Sequence, residues 1–97
     1  MIKLITLKTN HTLMGETEEK VGCFVIKYPV QVVTQPSQQG PMIGFVPFVE
    51  YAQEFKTGFT IDVNDILFVS NPVVELENQY NQMFGSGIQI ASVIPKV

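Results

Sequence analysis

The sequence predicts a mainly β protein: a small, strongly bent barrel of five strands followed by a C-terminal α-helix. Three observations carry this. Ile5, Leu7, Leu13 and Gly15 fall on one parity, and Phe24, Ile26, Tyr28, Val30 and Val32 form a second alternating run; period two marks half-buried strands. Both runs are long against a usual length of about five or six residues, so they have to bend. Gly15, Gly22 and Pro29 stand where a bend or bulge is tolerated. Past Ser70 the period changes to that of a helix.

Taken in order, Met1 to Thr9 reads as the first strand and Thr9-Asn10-His11 as a tight turn, with Asn10 suited to a left-handed backbone. Thr12 to Thr17 is the second strand and Glu18 to Gly22 the next turn. Cys23 to Val33 is the third strand, and Thr34 to Pro41, TQPSQQGP, is a flexible loop. Met42 to Tyr51, MIGFVPFVEY, is apolar on both faces, as strands buried on both sides are. Pro47 cannot donate to a ladder and implies an edge or bulge; a turn of helix after Tyr51 is compatible with the spacing. Lys56 to Gly58 is a turn, and Thr60 to Ser70 is the last main strand.

Asn71-Pro72 reads as a helix cap with proline at the first helical position. Val73, Leu76, Tyr80, Met83 and Phe84 then recur at helical spacing, and Gly85 closes the helix. Gly87 to Ile94 adds a short strand or arm. The 97 residues thus form one domain, with the barrel over about 2–70, the helix over about 72–84 and the arm over 87–97.

Composition narrows the function classes. The chain is 45% hydrophobic with a mean hydropathy of +0.20, much apolar surface for so small an interior, and this points to burial against other copies of itself. A greasy small core is the alternative. Charged residues make up 15%, nine acids against six bases, for a net charge of −3. All the bases are lysines. Without arginine, the fork that favours phosphates and bases is missing. Cys23 stands alone, which suits a reducing cytoplasm. The short apolar run at the N-terminus is not a signal peptide, and no run reaches the roughly 18 residues of a membrane span.

Chemistry-bearing constellations are sparse. A Cys–His pair requires His11 beside Cys23, with no third group evident. Glu16, Glu18 and Glu19 offer oxygens to a cation, but one turn does not supply the converging set that hard cations need. The reading is therefore of a protein that is not an enzyme and has no metal and no cofactor. The doubly apolar strands are more telling: beyond the face each buries, their other face and edge need cover. Joining the fourth strand of one subunit to the fifth of its neighbour supplies it, in a head-to-tail contact that closes into a ring. The interface candidates are Phe45, Val46, Phe48, Ile66, Leu67, Phe68 and Val69. A sandwich or barrel whose own C-terminal helix covers those faces is the alternative.

Ile5 and Leu7, then Leu13-Met14-Gly15, then Cys23 to Val30, followed by Ile61 to Val69, resemble the two signatures of the Sm/LSm family of small ring-forming, SH3-like barrels, Hfq-like members included. The likeness covers about Ile2 to Ser70. Asn10 replaces the turn glycine, Asp62 and Val63 stand where Arg-Gly is usual, and Val21 and Val25 stand where Asp and Asn are usual. The helix follows the barrel instead of preceding it. Atypical Sm-like proteins of tailed bacteriophages diverge in this way, and the chain is similar to those. The resemblance implies a homo-oligomeric ring with RNA or single-stranded nucleic acid as ligand. The usual hydrogen-bonding pocket for uracil is missing, so the binding it implies is weak. Lys20, Phe24 and Asn64 are the nucleic-acid-binding candidates, Phe24 as a stacking platform, though a core position suits it better. A structural or protein-interaction ring without nucleic-acid binding is the second reading.

Overall fold

Alternating apolar residues build antiparallel strands over most of the chain. The structure, a computed structural model, describes residues 1–84; the arm expected over 87–97 and the closing Gly85 lie outside them. The strands are β1 (Ile2–Leu7), β2 (Thr12–Lys20), β3 (Cys23–Gln35), β4 (Met42–Pro47), β5 (Phe59–Asp62) and β6 (Ile66–Ser70). Helix α1 (Glu54–Thr57) precedes β5, a 3-10 turn (Val63–Asp65) separates β5 from β6, and α2 (Val74–Phe84) follows. The sheet runs β4-β3-β2-β1-β6, with β5 also paired to β3. Among the described residues it is not closed by hydrogen bonds, and β4 and β6 stand at its two ends.

The bends fall at the expected residues. Asn10 takes a left-handed φ of 72° in the turn joining β1 to β2, where its side chain tolerates that conformation. Between β2 and β3 the register slips: Met14 faces Val30, but Glu16 faces Lys27, so Gly15 alone lies opposite Tyr28 and Pro29. This bulge bends both strands. Gly15 is required there because a Cβ would sit 2.6 Å from the Lys27 carbonyl oxygen and 2.8 Å from Ile26 Cγ1. Tyr28 holds a positive φ of 52° at the same place.

Several boundaries differ from the sequence reading, and β3 runs past Val33 to Gln35, where Thr34 and Gln35 of the expected loop pair with Ile43 and Met42. The Glu18–Gly22 turn shrinks to Val21-Gly22, because Glu18, Glu19 and Lys20 pair with Val25, Phe24 and Cys23. The expected Met42–Tyr51 strand ends at Pro47, and one turn of helix forms beyond Tyr51, burying Phe55. The expected Thr60–Ser70 strand breaks in two, since the Asp62 carboxylate accepts from the Asn64 amide at 2.8 Å and folds the chain into a 3-10 turn. This raises the strand count from five to six. Last, α2 starts at Val74: the Val73 carbonyl accepts its first bond, from the Glu77 amide, while Asn71 Oδ1 accepts from Lys3 Nζ at 2.6 Å instead of capping a helix.

The extra strand has a simple origin. Both β4 and β5 pair with β3 on the side opposite β2, β4 along Val30–Gln35 and β5 along Cys23–Ile26. They are one edge ribbon, interrupted by residues 48–58.

Apolar side chains pack on both sides of the sheet. On one side Met14 and Val30 pack with Leu76 and Tyr80 of α2, joined by Ile2, Leu4, Tyr28, Val32, Phe45 and Phe84. On the other, Ile5, Leu13 and Ile26 are fully buried among residues of β5 and β6, including Phe59, Ile61, Ile66 and Val69. Strands at both ends of the connectivity share this second core, so the sheet is strongly curled.

Helix α2 is pinned to the bulge. Tyr80 is 4% exposed, and its hydroxyl donates to the carbonyl of Tyr28 in the bulge at 2.7 Å. Its ring stacks beside Phe84 at 4.9 Å, and Tyr28 meets Phe55 edge-on at 5.5 Å. Tyr80→Phe keeps the rings but removes this partly buried hydrogen bond, so urea denaturation is expected to show a loss of about 0.5–1.5 kcal/mol. Burial pushes the Tyr80 phenol well above its ordinary value. In the unfolded chain the phenol ionises near pH 10, so its contribution is complete below that pH and is lost as pH rises beyond it. Melting curves above about pH 10 are expected to fall more steeply for the native protein than for Tyr80→Phe.

Candidate functional site

The two ends of the sheet are the chain's most distinctive surface. Unpaired strand edges expose rows of backbone donors and acceptors, and soluble proteins usually guard them with charge or cover. Here the opposite holds. On β4, Met42, Ile43 and Val46 are exposed; on β6, Leu67 and Phe68 are exposed, at 52% and 57%. A bulge in the pairing of β1 with β6, where Thr6 faces Phe68 and Leu7 faces Ile66, leaves Leu67 unpaired beside Phe68. Both edges also lie in uncharged runs of sequence, residues 28–49 and 66–74.

The interface candidates divide between inside and outside. Val46, Leu67 and Phe68 face outward. Phe45 packs against the core beneath α2, and Phe48, Ile66 and Val69 pack against the second core. Sequence reasoning named both faces of each strand. It did not name Met42, Ile43, Val73 or Val74, all exposed; the uncharged runs that hold them are the signal that would have found them.

The nucleic-acid-binding candidates gather at one end of the sheet. Lys20 pairs with Cys23, Phe24 with Ile61 and Cys23 with Asp62, and the Val63 amide donates to the Gly22 carbonyl, which brings Asn64 close by. Their chemistry does not suit a phosphate. Lys20 Nζ lies 3.6 Å from Glu18 Oε2. Glu19 and Asp62 add further negative charge, repelling a polyanion. Phe24 is half-buried against the second core, not presented as a platform.

Ionisable side chains line two open clefts, Glu16, Glu18 and Lys27 in one and Lys8, Asp62 and Asp65 in the other. An apolar cavity of about 150 Å³ lies among Leu7, Leu13, Ile26, Phe48, Phe59 and Ile61, and no ionisable side chain lines it. Among the described residues, no three His, Cys, Asp or Glu side chains converge as metal ligands, and no helix is long and apolar enough to cross a membrane. The chain matches no protein-family model and no curated protein.

Proposed function

We propose that the protein is a self-assembling, Sm-like ring with a structural or protein-interaction role. One observation carries the proposal: among the described residues the sheet ends in two different open edges, both apolar and uncharged. Two distinct complementary surfaces on one chain make a head-to-tail contact, which closes into a ring when the rotation permits. The β4 edge of one copy pairs antiparallel with the β6 edge of the next, giving the backbone groups partners and burying Val46 against Leu67 and Phe68. The curl of the sheet around its second core supports the Sm-like barrel, with β4 and β5 together taking the place of the fourth of five strands. Divergence of the kind found in phage Sm-like proteins, and a reducing cytoplasmic setting for the lone Cys23, belong to the same reading.

The scaffold role is preferred over RNA binding because the candidate nucleic-acid end carries more acid than base. A fluorescent oligouridine is expected to show no binding whose affinity falls with salt, the mark of phosphate contacts. Sedimentation is expected to give one multimer of the 10.9 kDa chain. A salt-sensitive complex would restore the RNA reading, and a monomer at every concentration would remove the ring.

A further inference from the structure

Residues 32–35 of β3 and 42–45 of β4 pair only with each other, because β2 leaves β3 at Gln31. They form a two-stranded arm beyond the rest of the sheet. A two-stranded ribbon alone is marginal in water, and this one exposes Met42 and Ile43 at 57% and 50%. At the far end of the chain, Val73 and Val74 are 65% and 68% exposed where β6 gives way to α2. Among the described residues, nothing covers either pair.

We infer that the arm of one copy seats on the Val73–Val74 corner of the next, a second contact that extends the edge pairing. The inference rests on the ring reading. It follows from counting along antiparallel strands. If Val46 faces Phe68, each step back along β4 is a step forward past β6, so Met42 faces Pro72, next to Val73. Just past the last pair of β1 with β6, Leu4 with Ser70, the Asn71 side chain accepts from the Lys3 side chain of β1. Parallel pairing would instead carry Met42 to Asn64. The charge pattern agrees: the uncharged run that holds β6 extends to Val74 and stops at Glu75, and the run that holds the arm starts after Lys27. A second copy of the chain is therefore the occupant, with apolar side chains meeting apolar side chains across the whole contact.

The test uses the full chain with Cys23→Ala throughout. Chains carrying Met42→Cys are mixed with chains carrying Val73→Cys and treated with a short bismaleimide; a cross-linked heterodimer is expected. The pairing of Met42→Cys with Asn64→Cys is expected to give none. Separately, Val74→Glu is compared with the native chain by sedimentation. A glutamate in the first helical turn suits the helix dipole, so the fold is kept and checked by circular dichroism, while self-association weakens by about tenfold or more, the size of a desolvated interface contact. Gln79→Glu, on the outer face of α2, leaves association unchanged. If the native chain assembles but Val74→Glu assembles equally well, the corner contact is overturned and the edge pairing stands; if Met42→Cys links to Asn64→Cys instead of Val73→Cys, both the corner contact and the antiparallel direction of the pairing are overturned. If the native chain is a monomer, the ring reading falls first.

Discussion

Phe68→Lys is expected to give a folded monomer, and so is Val46→Lys, yet an equimolar mixture of the two gives a 1:1 dimer and nothing larger. In a single copy both side chains already face water, so a lysine there costs little stability. In the assembly the same position loses its water, and an unpaired ammonium in an apolar contact is strongly unfavourable. A weakening of at least about a hundredfold, close to 2.7 kcal/mol, is expected for either variant alone. The mixture separates two geometries. With head-to-tail pairing, each variant spoils one edge and keeps the other, so the intact β6 of one meets the intact β4 of the other once. With like edges pairing, β4 to β4 and β6 to β6, each variant still forms its own homodimer. Light scattering on the separate and mixed proteins distinguishes these outcomes.

The second large effect is on the fold. Gly15→Ala places a methyl group 2.6 Å from a backbone oxygen and 2.8 Å from a branched carbon of buried Ile26. The oxygen belongs to β3 at the bulge, so relief requires moving the strand. Overpacking of this kind costs about 1–3 kcal/mol, and the rigid neighbour puts this site at the upper end. A chain of this size loses about 4–8 °C of melting midpoint per kcal/mol. A fall of about 10 °C or more is therefore expected in the melting curve, together with weaker protection of the Tyr28 and Val30 amides in hydrogen exchange. A melting midpoint unchanged by the substitution would mean that the bulge is not packed as described.

Much of this architecture was legible in the residues. Alternation located β1, β2 and β3, and Gly15 with Pro29 marked the bulge because each removes something a regular ladder needs, a side chain in one case and a donor in the other. Asn10 marked the first turn for its tolerance of positive φ. What stayed hidden depends on side chains reaching the backbone. Asp62 breaks the last expected strand by accepting from Asn64, a local competition that a run of apolar letters does not display. Asn71 was read as a cap from its type and the proline after it, but Lys3, far away in sequence, takes its oxygen. The outward positions were obscured for a related reason. Strands apolar on both faces do not say which face is covered, and only the packing of Phe45 under α2, and of Ile66 and Val69 in the second core, separates them from Val46, Leu67 and Phe68.

Head-to-tail closure of the two open edges is the claim on which the function rests, and a native mass spectrum of the protein purified without nuclease tests it most directly. The expected spectrum holds one closed multimer of the 10.9 kDa chain, with no added mass removable by ribonuclease. A spectrum of monomer alone, at concentrations where the edges should meet, would contradict it.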